Sequence, residues 1–219
     1  MAMLIAGLIL FIATHSVRLF ADGWRTHTIA RLGEKPWKGL ISILSLAGFA
    51  LIVIGYGQAR LSPEVLWVPP VWSRHLAILI MLVSFIATVA AYVPGNSIKA
   101  KLGHPMVAGV KAWALAHLIS NGNLADVILF GAFLLWSIVS FSRSRRRDRV
   151  NSITYPAGTL SKNAITVVIG TVVWAVFLMG LHLQLIGVSP LPQASAPEVP
   201  VISAPVVETP APATAEPPR

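Results

Sequence analysis

The chain has no cysteine. That one absence removes disulfides, thiolate metal ligands, iron–sulfur clusters, covalently tethered c-type haem and cysteine nucleophiles together, and it leaves the redox compartment open. Charge is also scarce: Asp, Glu, Lys and Arg make up 11% of 219 residues, against about 25% in ordinary soluble domains. There is no HExxH zinc motif, no P-loop and no dinucleotide fingerprint. No two carboxylates share an apolar stretch, and Asp126 is the one acid lying well inside such a stretch. Interrupted helices with paired charges in repeated halves, the pattern of a transporter, are missing as well.

Apolar sequence is what remains. Hydrophobic residues account for 55% of the chain and the mean hydropathy is +0.73, which places it in a bilayer. Stretches long enough, or nearly so, to span lie near 3–20, 37–57, 74–92, 105–120, 123–141 and 163–186. The expected fold is therefore an all-α polytopic bundle of about six transmembrane helices. Only Met-Ala-Met precedes the first apolar core, with no basic leader and no small-residue cleavage site, so this helix reads as a retained anchor. Gly48 and Gly55, two turns apart in the second span, suit close helix packing. Trp67 and Trp72 flank Pro69-Pro70 in a loop where an aromatic belt is expected.

Basic residues give the orientation. Arg18, Arg25, Arg31, Lys35 and Lys38 surround the first connection, Lys99 and Lys101 the third, and Arg143, Arg145, Arg146, Arg147, Arg149 and Lys162 the fifth. The intervening connections hold only Arg60 and Arg74. Alternation of this kind predicts cytoplasmic basic loops and both termini on the periplasmic or exterior side. The net charge of +9 is then a topology signal, the Arg145–Arg147 run is a juxtamembrane anchor, and nucleic acid is not a partner. Beyond Gly187 the composition changes, and nine of the sixteen prolines fall in the final thirty residues. The chain thus divides into a transmembrane domain, 1–187, and a disordered Pro/Ala-rich tail, 188–219.

Histidine is left to carry chemistry. His15 lies inside the first span and His117 inside the fourth, while His75, His104 and His182 sit at span ends and His27 in a connection. Ionisable groups within lipid are costly and normally find partners in the bundle. At 100° per residue, His104 and His117 point about 140° apart and do not share a ligand. His104, just before Pro105, suits a helix N-cap. His117 shares a face with Trp113 and Asn121, and His15 shares one with Leu8, Phe11, Ile12 and Arg18. Lys111 is placed to snorkel to the cytoplasmic surface or to pair with Asp126 or a haem propionate. An imidazole beside an apolar strip, with a cation one turn nearer the surface, suits a porphyrin; it equally suits ordinary packing around a hydrogen-bonded histidine. Counting ~1.5 Å per residue, His15 lies about midway across and His117 nearer the outer face.

The ATHS stretch, the segment RLGEKPWKGLISILSLAGFALIVIGYGQAR and above all GHPMVAGVKAWALAHLISNGNLADVILFG resemble the NnrU family of bacterial membrane proteins, over about residues 3–141. That resemblance implies a multi-span inner-membrane protein connected with nitrite and nitric oxide reduction, with the nitrite or nitric oxide reductase system as a partner. The family is similar in turn to the plastid and cyanobacterial 15-cis-zeta-carotene isomerase, which carries a haem b. Carried over, the resemblance implies His15 of ATHS and His117 of WALAH as axial haem ligands; their face neighbours Trp113, Asn121 and Arg18 would then be the residues around the cofactor. The isomerase has a cysteine, proposed as an alternative ligand, where this chain has Ala114.

Three functions follow as expectations. The first is a b-haem protein of denitrification acting as redox, sensing or maturation factor. The second is a haem-dependent cis–trans isomerase of a carotenoid-like polyene, weakened by Ala114. The third is a cofactor-free membrane assembly protein.

Overall fold

The computed structural model describes residues 1–191, so that all but the first few residues of the expected disordered tail lie outside the described part. Among the described residues every element is a helix, and the one backbone bridge joins Val65 to Asn123. In chain order these are α1 (Ala2–Phe20), α2 (Asp22–Leu32), α3 (Glu34–Ala59), α4 (Val71–Tyr92), α5 (Ser97–Leu102), α6 (Pro105–Ser120), α7 (Leu124–Val150) and α8 (Leu160–Val176). A π-helical turn, Phe177–Leu181, carries α8 into α9 (His182–Ile186) without a break.

Five helices are long and apolar enough to cross a membrane: α1, α3, α4, α7 and the continuous Leu160–Ile186 rod. The sixth expected span is α6, and it is shorter than the others at 16 residues. Its limits are set by sequence: Pro105 occupies the first turn, where a missing N–H costs nothing, and Asn121 ends it in extended backbone. It still runs alongside α4, with Ser84 Oγ donating to the Gly109 carbonyl at 2.8 Å. One end of α6 meets the far end of α7 through His104 and Asp148, and the other meets the loop before α4 through Gly122 and Leu66.

Two elements depart from the hydropathy reading. Residues Asp22–Leu32, expected as a connection, form α2, which opens with an acid in its first turn and ends at Gly33, whose φ of 88° suits glycine. Helix α7 runs on past the expected end at 141 through the arginine run to Val150. Apolarity marks where lipid stops, and a helix outside lipid needs only capped or solvated ends.

Packing rests on small residues, as bilayer helices must approach closely to gain dispersion energy. A Cβ added to Gly48 would sit 2.8 Å from the Phe11 amide nitrogen, and one on Gly7 would sit 2.6 Å from that of Ile52. Gly55 lies equally close to the Leu4 backbone. The α1–α3 pair is thereby locked, and its Leu4, Leu8 and Ile52 join Ala114, Ala125, Leu129 and Phe130 in one buried core. On the other side Gly170 of α8 packs on Ile86 of α4, and Trp174 Nε1 donates to the Ile78 carbonyl at 3.0 Å.

The bundle has two unlike ends. Arg60 donates to the Ile186 carbonyl at 2.7 Å, and Met3 and Leu4 lie against Gly55, so the chain start and the end of α9 share one end. The opposite end gathers α2, α5, Arg143, Arg145–Arg147 and Lys162.

Candidate functional site

His15 and His117 are held in the same way. Each sits in a helix interior, where the carbonyl four residues earlier lies beside the ring, and each Nδ1–H donates to it at 2.8 Å: to Phe11 for His15 and to Trp113 for His117. A carbonyl only accepts, so Nδ1 carries a proton in each ring, and Nε2 is the nitrogen left for another partner. Among the described residues no group hydrogen-bonds either Nε2.

Aromatic rings fix the orientation of both imidazoles. His15 stacks on Phe11 at 4.1 Å and meets the Trp136 edge at 6.3 Å. His117 stacks on Phe130 at 4.5 Å and lies 5.3 Å from Trp113. Phe133 fills the interval, 5.7 Å from Phe11 and 5.4 Å from Trp113. Phe130, Phe133 and Trp136 follow one another at three-residue steps on α7, so both imidazoles rest on a single stripe of that helix, separated in depth by on the order of 9 Å.

The remaining expected site residues fall on either side of this ladder. Trp113 and Asn121 stay with His117, although Asn121 Nδ2 donates to the His117 backbone carbonyl (2.9 Å) and not to the ring. Arg18 keeps to the His15 side, where the two line a cavity of about 200 Å³ together with Arg25 and Trp37. Lys111 does not pair with Asp126. Its Nζ lies 4.9 Å over the Phe141 ring, toward the basic end, as snorkelling requires.

Other groups join the site that sequence did not place there. His182, read as a boundary residue, stacks 6.4 Å from His117 and donates from Nδ1 to the Val188 carbonyl. Asp126 is 2% exposed and accepts from the Tyr56 hydroxyl on one oxygen and from Asn123 Nδ2 (2.9 Å) on the other. Nothing in a linear pattern pairs Tyr56 with a residue seventy positions later; the only signal was the rarity of an acid inside a span. His104 does stand at the N-cap of α6, but its side chain caps nothing. Its Nε2 is 2.9 Å from Asp148, which also accepts from the Tyr155 hydroxyl at 2.9 Å. Burial, and then the hydrogen bond to Asp148, hold the Tyr155 phenol above its usual range.

In type, these donors are those a b-type haem takes: two imidazoles on different helices, each with Nδ1 held by a backbone carbonyl, as metal-bound histidines are held, and Nε2 without a hydrogen-bond partner among the described residues. Among the described residues no cluster of three metal-ligating side chains offers a rival site. The space between the two rings is filled by Phe11, Phe133 and Trp113, which must part for one macrocycle to reach both.

No curated protein and no solved structure matches this chain. The family model described as NnrU protein does match, over residues 3–190, and so takes in the last helix beyond the 3–141 stretch that carries the sequence resemblance. The match runs from the first turn of α1 to beyond the end of α9 and covers well over half of the chain, so the chain belongs to the NnrU family of membrane proteins.

Proposed function

We propose that this membrane protein binds a b-type haem through His15 and His117 and serves nitrite and nitric oxide metabolism in the bacterial inner membrane. The observation that supports the cofactor is the shared Nδ1–H to carbonyl bond, which leaves both Nε2 atoms free above one stripe of α7. Bound there, such a haem would supply one-electron redox chemistry and an iron centre for nitric oxide. The chain's own part is to hold the two rings in one tautomer, to surround them with Phe11, Trp113, Phe130 and Phe133, and to exclude water from the interval. Arg18, one turn beyond His15, is the cation for a propionate. The basic end is read as cytoplasmic and both chain ends as periplasmic. A reductase system of the same membrane is the partner this reading implies.

The isomerase reading ranks second. Ala114 is 0% exposed and packed into the core, so no sulfur ligand is available beside His117.

The test is spectroscopic. Protein purified in mild detergent from haem-sufficient cells should show a sharp Soret band and split α/β bands on reduction, with the haem extracted by acid-acetone. His15→Ala and His117→Ala should each give a high-spin or empty site. A colourless, well-folded wild type would refute the cofactor and favour the assembly protein. Stoichiometric haem surviving loss of both histidines would refute the ligands, and conversion of a cis-carotenoid by the purified protein would reverse the order of the two haem readings.

A further inference from the structure

At the basic end, the close of α1, the start of α2 and the close of α7 enclose a groove of about 420 Å³. Arg18, Arg143, Arg146 and Arg147 line it, and Asp22 is the one acid among its walls. Asp22 already faces Arg25 at 3.4 Å. Arg143 is committed too: its guanidinium donates to the Leu19 carbonyl at 3.1 Å and lies 4.3 Å over the Phe20 ring, which pins α7 to the end of α1. Arg18, Arg146 and Arg147 form no salt bridge among the described residues, where the only ion pairs involve Arg25, Lys38, His104 and Arg145. Three guanidiniums that repel one another in a shared concavity are stabilised by an anion, and a forked donor set suits phosphate.

The surroundings decide what carries that phosphate. Leu19 and Val150 give the groove its apolar surface, with Asn151 beside them, and Val150 is 75% exposed. Phe20, 61% exposed, lies under the Arg143 guanidinium of the groove, and Trp24, 58% exposed, packs on Trp37 at the same end, both in the position of residues that sit among lipid headgroups. The volume lies within the range that holds a small ligand. A ligand with a charged head and an apolar body matches these walls, and a free anion uses only half of them.

We propose that this groove binds the phosphate of an anionic phospholipid headgroup, with Arg146 and Arg147 as its own donors, Arg18 beside them, and Leu19 and Val150 against its glycerol and upper acyl chain. The groove meets the histidine ladder only at Arg18, which also lines the cavity beside His15; Arg146 and Arg147 carry the site whether or not a haem is bound.

The test titrates the full chain in maltoside detergent with short-chain phosphatidylglycerol, following thermal unfolding and tryptophan fluorescence. The comparison ligands are short-chain phosphatidylcholine, glycerol 3-phosphate and inorganic phosphate. Phosphatidylglycerol should stabilise the protein saturably and the other three should not. Arg146→Gln/Arg147→Gln should weaken the effect at least about tenfold, while Arg31→Gln/Lys101→Gln, an equal charge loss at the same end, should leave it within about twofold. Arg18 is left intact because it also lines the cavity beside His15, so a lost haem spectrum and a lost lipid response are read separately. If the double variant misfolds, the exposed single change Arg146→Gln replaces it and should weaken binding by a few-fold. Equal protection by inorganic phosphate or glycerol 3-phosphate would overturn the lipid assignment. Equal protection by phosphatidylcholine, or equal loss in the Arg31/Lys101 control, would reduce the groove to a general surface effect and overturn the site.

Discussion

The Tyr56–Asp126 contact joins α3 to α7 inside the apolar layer, and its strength follows from what each partner leaves behind. Asp126 is 2% exposed and accepts from two donors, the Tyr56 hydroxyl and Asn123 Nδ2. Tyr56→Phe removes one donor to a carboxyl group and should cost about 1.5–3 kcal/mol. Asp126→Ala strands both donors where no water replaces the acceptor, at about 1–3 kcal/mol each, so about 2–6 kcal/mol in total. In the double variant the stranded hydroxyl is gone, so adding Tyr56→Phe to Asp126→Ala should recover about 1–3 kcal/mol. The cycle should therefore show a coupling of about 2.5–6 kcal/mol. Reversible unfolding in mixed micelles, followed by far-ultraviolet circular dichroism and tryptophan emission, measures all four corners. Additivity within about 0.5 kcal/mol would mean that the contact carries no energy and that α3 and α7 are held by apolar packing alone.

Three further outcomes are expected. Gly48→Leu should separate α1 from α3, because even a Cβ there stands 2.8 Å from the Phe11 amide nitrogen; a cost of about 1–3 kcal/mol or more would appear as early thermal unfolding, whereas Gly57→Ala, with open space at that position, should be nearly silent. His104→Ala removes one partner from Asp148 but leaves Tyr155 in place, so stability should fall by about 1 kcal/mol and any haem spectrum should not change. Reporters fused after Arg147 and after Gly187 should lie on opposite sides of the membrane, the first cytoplasmic; the same side for both would contradict the continuous Leu160–Ile186 span.

Lipid solvation makes spans legible because every residue facing the layer must be apolar, so five of the six expected stretches appear as long helices. The same rule hides α2, whose mixture of Asp22, Arg25, Ile29 and Leu32 belongs at an interface and carries no spanning signal. It also truncated α7, since Arg143–Arg149 lie outside lipid yet continue the helix. At the site, helical phase correctly kept His104 apart from His117: one ring lies on Asp148 and the other in the aromatic ladder. Phase within one helix says nothing about partners on another. The Phe133 ring between the two imidazoles, the stacking of His182 on His117 and the Tyr56–Asp126 bond all join residues far apart in sequence. They depend on how helices rotate against one another, which the glycine contacts set and composition does not.

The shortness of α6 bears on the membrane itself. Sixteen residues at ~1.5 Å each give a rod of roughly 24 Å, about 6 Å less than a typical hydrocarbon layer. Its neighbour α4, with 22 residues, has no such deficit, so the mismatch falls on the corner where α6 turns into α7 and Asn121, Gly122 and Asn123 lie beneath Trp67. A bilayer meets a local deficit by thinning, and headgroups and water sink with it. His117 and His182 then lie under a dimple in the leaflet at that end and not at full depth, which lowers the cost of keeping polar groups there. Thicker membranes should strain this corner before any other, and lengthening the host's acyl chains should loosen the α6–α7 turn while the α1–α3 pair stays intact.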